Sequence, residues 1–226
     1  MLTEAYLDLK YLLNRGYRKK YALDFVANHY RLTLKERHLL ARCVFSDLWM
    51  AEVRKKLLSP EELREKTMAI DGFNVLITLE SLVEGRAILC EDGLVRDLKY
   101  QGKYRLSGRT GVLLRELGED LRELGLGEVV FIYGKNVPKS GVVGKLTEEA
   151  IGEAGISGEV WLVKNPDFEL KGFETVATAD VGVISRVSHV FDLARHVGEN
   201  LGGRPIPLEN LLGRFAAGRF EVLENL

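Results

Sequence analysis

The chain has 226 residues, 46% of them hydrophobic, which suffices for one large domain or a modest domain with a small one, and disfavours global disorder. No run approaches the ~18 apolar residues that span a bilayer, and the N-terminus lacks the apolar segment of a signal peptide. We therefore expect a cytoplasmic protein with no membrane partner. The two cysteines, Cys43 and Cys90, lie in apolar stretches without a CxxC spacing, as expected for buried thiols in a reducing compartment.

The net charge of −1 hides an asymmetry along the chain. Residues 1–66 hold 14 Lys and Arg against 9 Asp and Glu, whereas residues 67–226 hold 18 against 24. This difference predicts a basic docking module beside an acidic one. Charged residues make up 29% of the chain and Gln101 is the sole glutamine, a composition that fits a thermophilic source.

Residues 1–66 are predicted to form a small domain that is helical throughout. Leu7, Tyr11 and Leu2 recur at helical spacing before Asn14-Arg15-Gly16 ends the first helix. Thr33-Leu34-Lys35-Glu36 is a capping box that opens a third helix. The second helix, the fourth helix and one further helix start are predicted at 22–30, 47–57 and 59–62.

From residue 67 the pattern changes to strands that alternate with helices. Strands are predicted at 68–71, 129–133, 159–163, 175–178 and 189–193, and helices near 75–84, 108–124, 142–154 and 181–187. Such alternation favours a mainly parallel sheet with helices on both faces, an α/β domain over residues 67–226. A β-hairpin with its turn at Glu91-Asp92-Gly93 interrupts it over 87–98, and the tail after Leu201 is predicted to dock as a short helix.

Polar side chains follow several predicted strands, where open parallel sheets bind ligands. Asp71 and Asn74 follow the first strand, Asp167 the third and Asp180 the fourth. In a sheet of order 3-2-1-4-5 the first and fourth strands are neighbours, which would bring Asp71 close to Asp180. Carboxylates that converge repel one another unless a cation lies between them, and hard oxygen ligands favour Mg²⁺ or Mn²⁺. Metal-dependent phosphodiester hydrolysis uses this arrangement, with Asn74 orienting a carboxylate or a metal-bound water.

Two of these segments also carry a resemblance. Asp71-Gly72-Phe73-Asn74-Val75-Leu76 resembles the opening segment of the NYN branch of PIN-like nuclease domains, and Val176-Ala177-Thr178-Ala179-Asp180 resembles a later strand of those domains. The resemblance implies a PIN-like, Rossmannoid sheet of order 3-2-1-4-5 and metal-dependent cleavage, usually of RNA. It implies Asp71, Asp167 and Asp180 as catalytic metal ligands.

The whole chain also resembles an uncharacterised archaeal family that joins a small helical domain to a PIN-like one. In that family we expect segments such as Leu13-Asn14-Arg15-Gly16-Tyr17, Arg42-Cys43-Val44-Phe45-Ser46 and Asp92-Gly93-Leu94-Val95-Arg96-Asp97.

Further candidates have ordinary alternatives. Asp92 and Asp97 are additional acids or, respectively, a turn residue and a solvent-facing strand residue. A loop at the sheet edge is predicted to contact substrate phosphate through Lys135, Lys139 and Ser140, or else is simply a solvated loop. Arg109, at a helix start, is predicted to contact phosphate too, and the alternative there is helix capping. In the helical module, residues 15–21 form a basic segment in which cations alternate with Tyr17 and Tyr21. This segment is predicted to bind nucleic acid through its cations, Arg15, Arg18, Lys19 and Lys20. The alternative is a solvated helix start.

The predicted function is that of a divalent-metal-dependent endonuclease that acts on RNA. The alternative is a non-catalytic nucleic-acid-binding or adaptor protein with a degraded PIN-like site, because Gly134-Lys135 stands where many relatives of the nuclease domains carry an acid. A nucleotide-binding domain is disfavoured, since no GxGxxG or GxxxxGK[ST] motif follows the first strand. The sequence leaves a homo-oligomer open.

Overall fold

The computed structural model describes residues 1–98 and 104–216. Four helices open the chain: α1 (Leu2–Asn14), α2 (Lys19–His29), α3 (Leu34–Cys43) and α4 (Asp47–Lys56), followed by a 3-10 turn at Pro60–Leu63. The predicted capping box at the start of α3 is confirmed, because Thr33 Oγ1 accepts from the Glu36 amide and the Glu36 carboxylate accepts from the Thr33 amide. The further helix start at residue 59 yields only the 3-10 turn.

The buried face of α1 differs in part from the predicted one. Leu2 of the predicted set is buried, but Leu7 and Tyr11 are 58% and 56% exposed, and Leu9 is buried instead. Both sets have helical spacing, so the periodicity of the sequence could not choose between the two stripes. The packing of α1 against α2 and the C-terminal helix decides which stripe is covered.

Five parallel strands form the main sheet, in the spatial order β5-β4-β1-β6-β7. Their bounds are β1 (Thr67–Asp71), β4 (Glu128–Gly134), β5 (Gly158–Val163), β6 (Thr175–Ala177) and β7 (His189–Phe191). These strands lie within two residues of the predicted ones. Parallel strands with short apolar runs are covered on both faces by helices, and this sheet follows that rule.

Alternate residues of each strand enter different cores. Met68 and Ile70 pack with helices α5 (Gly72–Val83), α6 (Thr110–Glu123), α7 (Ser140–Glu153) and α10 (Leu193–Asn200). Ala69 packs on the opposite face with α4, α8 (Pro166–Leu170) and α9 (Val181–Ile184). The predicted α/β architecture with helices on both faces is therefore confirmed, although α8 and α10 were not predicted.

A second, small sheet contains the predicted hairpin. Strands β2 (Ile88–Leu89) and β3 (Val95–Arg96) are antiparallel, as predicted, and β8 (Ile206–Pro207) adds to β2 in parallel. The strand β8 was not predicted, because two residues are too few to form a periodic pattern. It leads into α11 (Leu208–Ala216), the short docked helix expected in the tail, while residues 217–226 of the predicted second domain lie outside the described residues.

The helical module shares a hydrophobic core with the rest of the chain. Leu9 and Leu40 from the module pack in one cluster with Ile88 of the hairpin and Leu211 of α11. A β-bridge further joins Leu57, at the end of α4, to β7. The boundary at residue 66 thus separates two patterns of secondary structure, and the division into two domains stays a prediction.

Candidate functional site

The first and fourth strands of the main sheet end side by side and bring two predicted acids together. Asp71 ends β1, and Ile70 pairs in register with Ala177 at the end of β6. Thr178 Oγ1 donates to Asp71 Oδ2 at 2.9 Å and accepts from the Asp180 amide at 3.1 Å. A single hydroxyl therefore connects the two aspartates that the sequence placed on neighbouring strands.

Asn74 fixes the next segment of the same edge. It lies in the first turn of α5, and its Oδ1 accepts from the Ala179 amide at 2.9 Å. Asp180 caps α9, with its Oδ1 accepting from the Val183 amide at 3.0 Å. The two strand ends are thus held together by side-chain to backbone hydrogen bonds, which leaves the second carboxylate oxygen of Asp180 without a role in the cap.

All four predicted residues line one cavity of about 430 Å³. Asp71, Asn74 and Asp180 form its floor at the strand ends, and Asp167 reaches it from the first turn of α8. The cavity also contains Asp97, from the end of the hairpin. The structure therefore brings the four predicted residues together at one edge of the sheet, and their role as a metal site stays a prediction.

The electrostatics of the cavity are those of crowded carboxylates. Burial, aided by the charges of Asp180 and Asp167, raises the pKa of Asp71 to about 7, although the hydrogen bond from Thr178 opposes the rise. A cation near its carboxylate would favour the ionised form.

The acids of the cavity do not form a closed metal cage among the described residues. Across residues 1–98 and 104–216, no three His, Cys, Asp or Glu side chains are grouped closely enough to hold an ion together. Mg²⁺ in phosphate-processing sites is usually held by one or two carboxylates, with waters and substrate phosphates completing its shell. The cavity offers the carboxylates of Asp71, Asp180 and Asp167 for that lower requirement, with Thr178 bonded to the Asp71 carboxylate and to the Asp180 backbone amide.

The two acids of the hairpin lie in different environments. Asp97 is buried at the cavity, where it accepts from Thr78 Oγ1 at 3.3 Å and pairs with Arg42 at 3.6 Å. Its predicted alternative, a solvent-facing position, is wrong. Asp92 instead forms a buried, two-bond ion pair with Arg96, at 2.6 and 2.7 Å, and does not reach the described cavity wall. Its carboxylate is neutralised there, so Asp92 is not an additional acid of the cavity.

The predicted phosphate contacts lie outside the described cavity wall. Lys135 and Lys139 are exposed in the loop after β4, and Ser140 is buried at the start of α7, with its hydroxyl donating to the Lys135 carbonyl at 3.4 Å. Arg109 is exposed at the start of α6. The structure does not bring these four residues to the carboxylates, and their binding of phosphate stays a prediction.

The basic segment of the helical module divides into exposed and covered cations. Arg15, Arg18 and Lys20 are exposed, and the Arg15 guanidinium lies 4.5 Å from the Tyr11 ring centroid. Lys19 is partly buried, with its ammonium 3.8 Å from the Phe45 ring centroid, and burial lowers its pKa to about 8. The prediction that Lys19 contacts nucleic acid is therefore corrected, because its charge is directed into the protein.

Two charged residues of the cavity wall were absent from the predicted site. Arg42 lies in the last turn of α3, and Arg96 lies in β3. Both occur in segments named for the archaeal family resemblance, but no spacing rule connects them to Asp71. Only the packing of the helical module and hairpin over the edge of the sheet places them there.

Two family models match the chain and divide it near the junction between the helices and the main sheet. "Protein of unknown function (DUF434)" matches residues 1–56, and "Domain of unknown function (DUF5616)" matches residues 60–196. The chain is also 39% identical over 204 residues to "Uncharacterized protein MJ0935" of the archaeon Methanocaldococcus jannaschii, an alignment that covers 88% of this chain and 98% of that relative. No solved structure matches the chain. The chain belongs to the DUF5616 family and shares the family of this archaeal protein.

In the part of the chain that the structure describes, none of the helices is both long and apolar enough to cross a membrane. The predicted cytoplasmic location and homo-oligomer stay predictions.

Proposed function

We propose that this chain is a divalent-metal-dependent endonuclease that hydrolyses phosphodiester bonds of RNA. The observation that carries the proposal is the single cavity in which Asp71, Asp167 and Asp180 meet at the carboxyl edge of the sheet. These carboxylates follow three separate strands, so the fold holds together acids whose charges repel one another. A bound cation would relieve that repulsion.

The acids of the cavity would bind the metal, and their neighbours would orient them. One or two of the carboxylates of Asp71, Asp167 and Asp180 would hold Mg²⁺ or Mn²⁺, with waters and substrate phosphate completing its shell. The bound ion would polarise the phosphoryl oxygen and lower the pKa of a water. Asn74 positions the site, because its side-chain oxygen fixes the Ala179 amide and thereby the backbone beside Asp180. Thr178 orients the Asp71 carboxylate with its hydroxyl proton.

A PIN-like fold is part of the proposal. In chain order, the five strands of the main sheet stand third, second, first, fourth and fifth, the order that the resemblance of the Asp71 and Asp180 segments implies. The two residues of those segments that the resemblance assigns to metal lie on adjacent strand ends. Both observations support a nuclease of this kind.

RNA is the proposed partner, and the helical module would supply part of its binding surface. Arg15, Arg18 and Lys20 are exposed there beside Tyr17 and Tyr21, which are 59% and 63% exposed. Exposed tyrosines can stack on unpaired bases while the cations contact phosphates.

A second candidate is a protein that binds nucleic acid without cleaving it. It is favoured by the lack of a close group of three acids among the described residues and by the guanidinium of Arg42 at the cavity. An arginine there can bind a phosphate without chemistry.

A cleavage assay separates the two candidates. Wild type, Asp71→Asn and Glu148→Gln are incubated with a fluorogenic single-stranded RNA in Mn²⁺, in Mg²⁺ or in EDTA. Glu148 is an exposed acid of α7 away from the cavity, so its variant controls for the loss of one charge. We expect metal-dependent cleavage by wild type and Glu148→Gln, and a loss of about 100-fold in Asp71→Asn, the upper end of the effect of removing an outer-shell partner of a metal. Equal cleavage by all three would contradict the mechanism at Asp71, and binding without cleavage would favour the second candidate.

A further inference from the structure

The wall of the carboxylate cavity is completed by the helical module. Ala41 and Arg42, from the end of α3, line it together with Asp71 and Asp180. The module that the DUF434 model matches therefore reaches the site that lies in the DUF5616 region. The aligned archaeal relative spans both regions in one chain.

The two arginines of the described wall differ in how far their hydrogen-bonding groups are used. Arg96 is buried and saturated: its guanidinium holds both oxygens of Asp92 and donates from Nε to the Ala179 carbonyl at 2.9 Å. Arg42 is 35% exposed, and its pairing with Asp97 is long, at 3.6 Å. Among the described residues its Nε has no hydrogen-bond partner, but that atom is buried and out of reach of a ligand. Arg42 nevertheless lines the cavity, and a partly exposed, loosely paired guanidinium there can bind an anion.

We infer that Arg42 binds a phosphate of the substrate backbone across the cavity from Asp71 and Asp180, and so makes the helical module a working part of the site. This inference rests on the proposed function, since it names a further contact of the same substrate. The planar guanidinium can bind two phosphate oxygens at once, which would orient the phosphodiester as well as attract it. Asp97 holds Arg42 at the wall until the phosphate is bound.

The charge of the cavity explains why such a contact is needed. Asp71, Asp97, Asp167 and Asp180 all line it, and a phosphodiester approaching them is repelled. Arg96 is held tightly by Asp92 at 2.6 Å, whereas Arg42 meets Asp97 only at 3.6 Å, so Arg42 is the more available of the two arginines of the described wall to offset this repulsion. A phosphate at Arg42 would face the acids.

The test is binding of a fluorescein-labelled single-stranded RNA, measured by anisotropy in EDTA over a series of salt concentrations. The variants are Arg42→Ala, Arg42→Lys and the control Arg54→Ala, an exposed arginine of α4 outside the cavity. We expect Arg42→Ala to weaken binding about tenfold, and the slope of log affinity against log salt to become shallower by about 0.7, the contribution of one phosphate contact on a single strand. Arg42→Lys should restore the slope but only part of the affinity, because a lysine binds as a point charge. Arg54→Ala should match wild type.

A double variant separates phosphate binding from simple neutralisation of Asp97. If Arg42 only masks the Asp97 charge, Arg42→Ala combined with Asp97→Asn regains wild-type affinity; if Arg42 contacts phosphate, the double variant keeps the shallow slope. Equal binding by Arg42→Ala and Arg54→Ala overturns the inference, and leaves the nuclease in place if wild type still cleaves RNA. Weakened binding by Arg42→Ala with no cleavage by wild type supports the contact and refutes the nuclease. If wild type binds no RNA, both are wrong.

Discussion

Asp71→Asn is expected to stabilise the protein at alkaline pH, although it removes a residue of the proposed site. The pKa of Asp71 is about 7 in the folded chain, against an ordinary value of 3.8, because burial and the charges of Asp180 and Asp167 disfavour its ionised form. A carboxyl group whose pKa is higher in the folded chain than in the unfolded chain stabilises the folded chain most while both states are protonated. This stabilisation is lost as the pH rises from the unfolded pKa of 3.8 through the folded pKa of about 7. Asparagine does not ionise, and its side-chain oxygen can still accept the Thr178 hydrogen bond.

The magnitude follows from the two pKa values. At about pH 4.5 the folded wild type holds its proton and most of the favourable linkage energy remains, whereas at about pH 8 it has been lost. The difference in unfolding free energy between variant and wild type should therefore move by about 3 kcal/mol in favour of Asp71→Asn between these pH values. Any fixed cost of the buried amide cancels in this comparison.

The assay is urea unfolding of both proteins at the two pH values, followed by circular dichroism. At the higher pH, Mg²⁺ should raise the midpoint of wild type more than that of Asp71→Asn if the ion binds at this carboxylate, since a ligand stabilises the state that binds it. A variant whose stability relative to wild type does not change with pH would refute the crowded, buried Asp71 on which this reasoning depends.

Two further predictions concern packing and thiol chemistry. Gly72→Ala should destabilise by about 3 kcal/mol in urea unfolding, because a methyl group there overlaps the buried Tyr133 ring, whereas the control Gly141→Ala, in open space in a helix, should be neutral or slightly stabilising. Diamide should remove the thiol hydrogens of Cys43 and Cys90, whose Sγ atoms are 2.9 Å apart, and form an intramolecular disulfide seen as a mass loss of about 2 Da. A treated, folded chain that still titrates two thiols would contradict the second prediction.

The sequence predicted most strands because each is a short apolar run bounded by turn residues. It failed where a boundary depends on a single cap. The predicted fifth strand continued to residue 193, but the chain leaves the sheet at Phe191, and the Asp192 side chain accepts from the Arg195 amide to start α10. An Asp inside an apolar run can end a strand or continue it, and only the neighbouring packing distinguishes the two.

The sequence predicted that α1 is a helix but not which of its faces is buried. In α1 the Leu2 and Leu9 stripe and the Leu7 and Tyr11 stripe have the same period, and the contact with α11, about two hundred residues away in the chain, decides which stripe is buried. Local spacing contains no information about a partner so distant in the sequence.

The sequence by itself determined the alternation of strands and helices and the aspartates that follow the strands, because both depend on local periodicity and on the ends of short apolar runs. The tertiary structure alone decided which other charges join them. Arg42 and Asp97 line the cavity of Asp71. In contrast, the Lys19 ammonium lies over an aromatic ring, and Asp92 forms an ion pair with Arg96. The physical reason is that the free energy of a charge depends on what packs against it, and these neighbours come from segments far apart in the chain.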